Sequence, residues 1–226
     1  MTGWVFVLQA DIATPIILSI QTAAIALCLA FPLGIFFAKA MAGKKFPGQT
    51  VVETFFMLPV VLPPTVVGFL LIILFGKHSP IGSFVESVFG ASIMFTPWAA
   101  ALASTVVAFP LMYQSAKAGF ESIDPGIEEA AHMDGAGTWK TFFYITIPLS
   151  AKALITGAIL SFARALGEFG ATLMFAGNIP GKTQTAPIAI YISMESGRMD
   201  RAWILVAIII LISFVMLYIS SLLKSK

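Results

Sequence analysis

"EEAAHMDGAGTWKTFFYITIP", Glu128 to Pro148, places acids, a histidine, a lysine and glycines between two long apolar segments. The 226-residue chain is 58% hydrophobic and 11% charged, whereas charged residues make up about a quarter of a soluble domain. So few charges cannot cover a surface that faces water. The composition therefore predicts a single-domain, all-α integral membrane protein over residues 1–226, with the quoted stretch outside the lipid.

Five segments are long and apolar enough to cross a bilayer, which takes about 20 residues of helix. The predicted spans are about 13–40, 51–75, 97–119, 148–175 and 201–223. The third span is predicted to begin at Thr96 and Pro97, an N-cap residue followed by a proline in the first helical turn. Residues 183–196 are too few for a span and include Pro187, so we expect a short re-entrant helix there on the outer side.

The distribution of lysine and arginine predicts the orientation, since basic residues gather on the cytoplasmic side of a membrane. With the N-terminus outside, eight lysines fall on or near the cytoplasmic side and four basic residues fall outside. The eight are Lys39, Lys44, Lys45, Lys117, Lys140, Lys152, Lys224 and Lys226, and the four are Lys77, Lys182, Arg198 and Arg201. The sequence therefore predicts an outer N-terminus, a cytoplasmic C-terminus and a cytoplasmic loop over residues 121–147.

This loop has the pattern of two short helices around a bend. Asp124 and Pro125 form an N-cap and a first-turn proline, and the acids that follow suit the positive end of the helix dipole. Small residues then allow another surface to come close, and two glycines permit a sharp turn. After the turn, Trp139, Phe142 and Phe143 have amphipathic helical spacing. The candidate docking residues are Glu128, Glu129, Ala130, Ala131, Gly135, Ala136 and Gly137.

Two features inside the predicted spans are candidates for a transport pathway or gate. Pro59, Pro63 and Pro64 each remove a backbone donor, so the second span is predicted to break. Such a break lies against protein or lines a water-filled cavity. Arg164 and Glu168 are four residues apart and can pair on one helix face. That pair either braces the helices or forms a gate or anion contact, and Phe169 beside it completes the candidate set.

Other motifs argue against a nucleotide-binding or metal site within this chain. "AGNIPGKT", Ala176 to Thr183, matches a relaxed phosphate-binding loop, but a predicted spanning helix precedes it instead of a buried strand. We therefore interpret it as an ordinary polar turn. The two histidines, His78 and His132, fall on opposite sides of the predicted membrane and cannot share a metal. The sequence predicts a transport protein that is not an enzyme and holds no cofactor or metal.

The polar loop resembles a known signature. Glu129-Ala130-Ala131, three residues, Gly135, nine residues, Ile145, one residue and Ile147-Pro148 is similar to the cytoplasmic loop of the inner-membrane permeases of binding-protein-dependent ABC importers. Ile147 replaces the usual leucine, and His132 and Asp134 also depart from the expected residues. "KKFPG" at 44–48, "LPVVLPPTVVG" at 58–68 and "GEFGAT" at 167–172 resemble the molybdate-type members in particular.

The resemblance implies a homodimer in the cytoplasmic or inner membrane of a bacterium or archaeon. Two ATPase subunits, which bind ATP and magnesium, would dock on the loop, and an extracytoplasmic oxyanion-binding protein would dock on the outer side. Nucleic acid is not expected as a partner. The expected substrate is molybdate, with tungstate and sulfate left open. The alternative is a self-contained secondary transporter or channel, which predicts internal repeats and coupling-ion acids in the spans.

Overall fold

The computed structural model describes the backbone of residues 2–224 and the side chains of residues 11–222. The regular elements in this range are helices, in agreement with the predicted all-α class. They are α1 (Thr2–Met41), α2 (Gln49–Val61), α3 (Pro64–Phe75), α4 (Pro80–Phe89), α5 (Pro97–Glu121), α6 (Pro125–Met133), α7 (Thr138–Thr141), a π-helical segment (Phe142–Thr146), α8 (Ile147–Leu149), α9 (Ala151–Leu166), α10 (Gly170–Ala176), α11 (Ala186–Glu195) and α12 (Met199–Lys224).

Within the described residues 2–224, three helices are long and apolar enough to cross a membrane on their own. They comprise Asp11–Met41, Pro97–Glu121 and Met199–Leu222. These helices contain the predicted spans 13–40, 97–119 and, up to Leu222, 201–223. The third span begins as expected, because the Thr96 side chain accepts a hydrogen bond from the Ala99 amide and Pro97 is the first helical residue.

The two remaining predicted spans are interrupted. Residues 51–75 form α2 and α3, which meet at 113°, because Leu62 is extended and Pro63 and Pro64 supply no amide donors there. The predicted proline break is thus confirmed, and the two helices together are long and apolar enough for one broken span. Residues 148–175 are also not one helix: α8 ends at Leu149, and α9 and α10 are separated at Gly167–Phe169.

The core of the bundle consists of α1, α5 and α9, which approach closely through small residues. Ala23, Ala26 and Ala30 of α1 form a buried cluster with Ala108 of α5 and Ala165 of α9. In lipid, helices gain little from hiding apolar surface, so close backbone contact between small residues holds them together. This packing makes the three helices the common frame to which the other elements attach.

Polar contacts define the two ends of this frame. Arg198 lies 3.4 Å from Asp11 near the start of α1, whereas Lys39 binds Glu128 of the polar loop. Asp11 and Lys39 are about 42 Å apart along α1, at about 1.5 Å per residue. The predicted short helix over 183–196 corresponds to α11, whose first amide, at Ala186, donates to Ser19 of α1. The loop and α11 therefore belong to opposite ends of the frame.

One helix was not predicted from the sequence, and one predicted feature lies outside the described residues. Helix α4, which packs its Gly82 against the backbone at Gly76, was not predicted, because ten residues with serines and a glutamate do not have the composition of a span. The predicted cytoplasmic end at Lys226 lies outside the described residues.

Candidate functional site

Helix α6 of the polar loop has well-defined ends. The Asp124 side chain accepts a hydrogen bond from the Gly126 amide, and Pro125 is the first helical residue, as predicted. At the other end, Gly135 has a φ of +86°, and the Ala136 amide donates to the Ala131 carbonyl at 2.9 Å. This Schellman arrangement confirms the bend at Gly135. Gly137 has a φ of −69°, so the bend does not depend on glycine there.

One face of α6 is open to solvent in the single chain. Ile127 is 43% exposed and Met133 is 89% exposed, and Glu129 and Ala130 are exposed between them. Ala131, in contrast, is buried. The Ala131 methyl group packs against its own chain, and its role in letting another surface approach stays a prediction.

Glu128 also has an internal role. Its carboxylate accepts hydrogen bonds from Lys39 Nζ at 2.8 and 3.1 Å, and from Thr146 Oγ1. Burial acts to raise the pKa of Glu128, but the hydrogen bonds from Lys39 and Thr146 outweigh it and hold the pKa below its ordinary value. A lowered pKa means that the pair stabilises the fold at neutral pH, and that this contribution is lost as the pH falls below about 4. Of the predicted docking residues, Glu129, Ala130, Gly135 and Gly137 remain exposed.

The aromatic residues after the bend divide between two environments. The Phe142 ring packs 6.1 Å from that of Phe120 at the end of α5. Trp139 and Phe143 stack with ring centroids 6.1 Å apart, and they are 76% and 57% exposed. The predicted amphipathic spacing therefore anchors one ring to the bundle and leaves the other two on the surface.

Inside the bundle, the predicted ion pair between Arg164 and Glu168 is confirmed. Arg164 Nη1 lies 2.6 Å from Glu168 Oε2, and the Glu168 side chain is 1% exposed. The second carboxylate oxygen accepts a hydrogen bond from the Ala171 amide at 2.8 Å. Glu168 therefore joins the end of α9 to the first turn of α10, across the break that separates these helices.

The breaks in the two interrupted spans meet in space. A Cβ on Gly170 would lie 2.9 Å from Cβ of Pro64, and one on Gly68 would lie 3.0 Å from Cα of Ala171. Helices α3 and α10 are therefore in close backbone contact, and the structure brings Pro64 and Glu168 into one region. The Phe169 ring, in the same break, packs 5.4 Å from that of Tyr191 of α11.

The other two proline candidates come before Pro64 in the chain. Pro59 is inside α2, and Pro63 precedes the first residue of α3. The structure thus gathers Pro64, Arg164, Glu168 and Phe169 around the α9–α10 break, whereas Pro59 remains within its own helix.

The segment that resembles a phosphate-binding loop forms a closed turn. It follows α10, and the amides of Lys182, Thr183 and Gln184 all donate to the Ile179 carbonyl. The Thr183 hydroxyl accepts from the Ile179 amide and donates to the Gly177 carbonyl. A phosphate cradle needs amides that point at the ligand, and these amides are already used, so the ordinary-turn interpretation agrees with the geometry.

A family model described as "Binding-protein-dependent transport system inner membrane component" matches residues 30–226. The chain belongs to this family. The family match confirms the resemblance drawn from the loop signature. It also confirms that the chain is a transport component and not an enzyme, and that it is a multi-pass membrane protein.

Two relatives of this chain carry names that specify what they transport. "Putative molybdenum transport system permease protein YvgM" of Bacillus subtilis (strain 168) is 58% identical over 205 residues, which cover 91% of this chain and 90% of that protein. The molybdenum transport system permease protein ModB of Escherichia coli (strain K12) is 41% identical over 181 residues, covering 80% of this chain and 79% of ModB.

Solved structures support the fold of this chain. A chain in the crystal structure of a bacterial alginate ABC transporter, in complex with an alginate pentasaccharide-bound periplasmic protein, has a TM-score of 0.71 with 16% sequence identity. The similarity covers 92% of this chain and 76% of that chain. At this identity the likeness shows a common fold and nothing about substrate.

Several contacts in the site were not predicted from the sequence. Lys39 and Thr146 were not predicted to bind Glu128, although a lysine at the end of one span and a threonine just before the next were visible signals. Gly68 and Gly170, where α3 and α10 touch, were also missed. Gly68 follows the proline break and Gly170 follows the break at Gly167–Phe169, and small residues beside a break are the signal that could have found them.

Proposed function

We propose that this protein is the membrane-spanning permease subunit of an ATP-driven importer for molybdate. The observation that carries the proposal is the 58% and 41% identity, over most of both chains, to two proteins named as molybdenum transport system permeases. Substrate identity is best inferred from such relatives, because the broken helices are a feature of many transporters.

The proposed assembly is a homodimer with two ATPase subunits on the cytoplasmic side. Each ATPase subunit, which binds the ATP and magnesium, docks on the exposed face of α6, with Glu129 and Ala130 at its centre. The exposure of α6, its capped ends and the bend at Gly135 support this assignment, since so ordered a connector is uncommon without a role.

The opposite end of the frame is the proposed outer side. An extracytoplasmic oxyanion-binding protein docks there, where α11 and the start of α12 meet the beginning of α1. The predicted excess of lysines around α6 supports this orientation, which puts the N-terminus outside and the C-terminus in the cytoplasm of a bacterium or archaeon.

Transport proceeds by alternating access, with α6 moving when the ATPases close on ATP. The region where α3 meets α10 is the proposed pathway element, because irregular backbone at membrane depth lies against protein or a water-filled cavity. Within it we assign Glu168 a bracing role, since both of its carboxylate oxygens are occupied. Arg164, whose side chain is 31% exposed, retains unused N–H donors that can attract an oxyanion.

The test is reconstitution of the protein in vesicles with the ATPase and the oxyanion-binding protein encoded beside it. Molybdate is the probe, and tungstate and sulfate are competitors. We expect molybdate uptake that requires both partners and ATP. Uptake without the ATPase would identify a secondary transporter or channel, and preferential uptake of sulfate or tungstate would reassign the substrate.

A further inference from the structure

We infer that Lys39, Glu128 and Thr146 form a coupling junction, through which movement of α6 reaches the transmembrane frame. The inference rests on the proposed function, because it assumes that an ATPase moves α6. Lys39 is 89 positions from Glu128 in sequence, and Thr146 is 18 positions from it, so only the folded structure brings the three together. They are positioning residues, since none of them needs to touch the substrate or the ATPase.

The junction is centred on one carboxylate that joins three elements. Glu128 projects from α6, Lys39 comes from the last turn of α1, and Thr146 ends the π-helical segment that leads towards α9. Lys39 binds both carboxylate oxygens, and Thr146 donates to one of them. A displacement of Glu128 therefore pulls on α1 and on the approach to α9 together.

Few other contacts tie α6 to the bundle. Among residues 11–222, the recorded side-chain hydrogen bonds between α6 and other helices all involve Glu128. Ala131 is the buried residue of α6, and the His132 ring bonds only to the Ala136 carbonyl within the loop. Apart from the chain itself, the junction is thus the polar link between the proposed docking helix and the frame.

Helix α1 is packed closely enough to transmit this movement to its neighbours. Helix α1 packs through Ala30 and Gly34 against α5, where a Cβ on Gly34 would lie 2.7 Å from Cγ of Met112. Contacts this close leave little room for independent sliding, because packed interiors transmit strain. A pull on the Lys39 end of α1 is therefore carried into α5 and α9.

The junction is partly exposed, so it contributes less to the stability of the fold than a buried ion pair would. The Lys39 and Glu128 side chains are 35% and 29% exposed, and such ion pairs add little to overall stability. Removing the pair should therefore leave the protein folded while weakening the transmission of movement. That separation makes the inference testable.

The experiment measures molybdate taken up per ATP hydrolysed in vesicles that contain the whole complex. The variants are Glu128→Gln, which keeps an acceptor for Thr146, Lys39→Met, and the double variant. Glu53→Gln is the matched control, because Glu53 pairs with Lys117 at 2.7 Å with similar burial but has no link to α6. Retention of the ATPase during purification is measured in parallel.

We expect the ratio of uptake to hydrolysis to fall about three- to tenfold in both single variants. The ratio in the double variant should fall no further than in either single variant, since all three variants remove the same ion pair. The ATPase should remain bound, and Glu53→Gln should keep the wild-type ratio.

Three results would overturn the inference: an unchanged ratio in both single variants, loss of the ATPase from both, or an equal fall in Glu53→Gln. Failure of the wild-type complex to take up molybdate with ATP would instead overturn the proposed function.

Discussion

The polar loop around α6 and the contact between α3 and α10 are both interruptions in an apolar chain, and the protein treats them in opposite ways. In the loop, most side chains of α6 face outward, and Met133 is 89% exposed. At the α3–α10 contact, glycines bring backbones together, and Phe175 and Ala171 are fully buried. The two regions therefore differ in exposure more than in polarity, and the exposed one is the proposed docking element.

This comparison leads to opposite expectations for mutations. Changes in the buried contact should lower the stability of the protein and thereby its transport. Changes on the exposed face of α6 should leave folding intact and affect the ATPase only.

The largest effect is expected for Arg164→Ala. This change leaves the Glu168 carboxylate buried without its cationic partner, and breaking a buried pair in this way costs about 3–5 kcal/mol. The measurement is unfolding in detergent micelles. Arg198→Ala is the control, since that arginine is 52% exposed and 3.4 Å from Asp11, and exposed pairs contribute about 0–1 kcal/mol. Equal stability of the two variants would show that the Arg164–Glu168 pair does not brace the helices.

An intermediate effect is expected for Gly68→Ala. The new methyl group would lie 2.7 Å from Cβ of Met174, and such overpacking costs about 1–3 kcal/mol. Gly137→Ala is the matched control, because Gly137 has an ordinary φ of −69° and nothing within 4 Å of an added Cβ. The loss of stability is read from the unfolding temperature of each variant. A Gly68→Ala protein as stable as Gly137→Ala would mean that α3 and α10 are not in close contact.

The smallest effect on folding is expected for Glu129→Lys. Surface substitutions change stability by about 0.5 kcal/mol or less, so the variant should insert and unfold as the wild type does. Reversal of the charge on the proposed docking face should nevertheless remove the ATPase from the purified complex. Glu195→Lys on α11, at the opposite end of the frame, is the control and should retain it. Retention of the ATPase by Glu129→Lys would argue against docking on this face.

Local signals in the sequence predicted much of the architecture. Thr96 and Asp124 cap helices as expected, and Arg164 pairs with Glu168, because each of these contacts spans only two to four residues. The proline break and the bend at Gly135 also follow from the backbone chemistry of single residues.

Contacts between distant segments escaped prediction. Ala131 is buried because of what the folded chain places beside it, and the spacing of residues in α6 carries no such information. The break between α9 and α10 is held by the Ala171 amide on Glu168 and by the close approach of Pro64 to Gly170. Gly167, the C-cap residue of α9, is the local signal there, but a single glycine ends a helix less reliably than proline does.

The most direct test of the docking face is photo-crosslinking from single positions in the assembled complex. A photoreactive residue in place of Met133, on the exposed face of α6, is compared with one in place of Lys182, in the exposed turn after α10. We predict that light joins position 133, but not position 182, to the ATPase subunit. A crosslink to the ATPase from position 182 and none from position 133 would contradict both the docking face and the orientation.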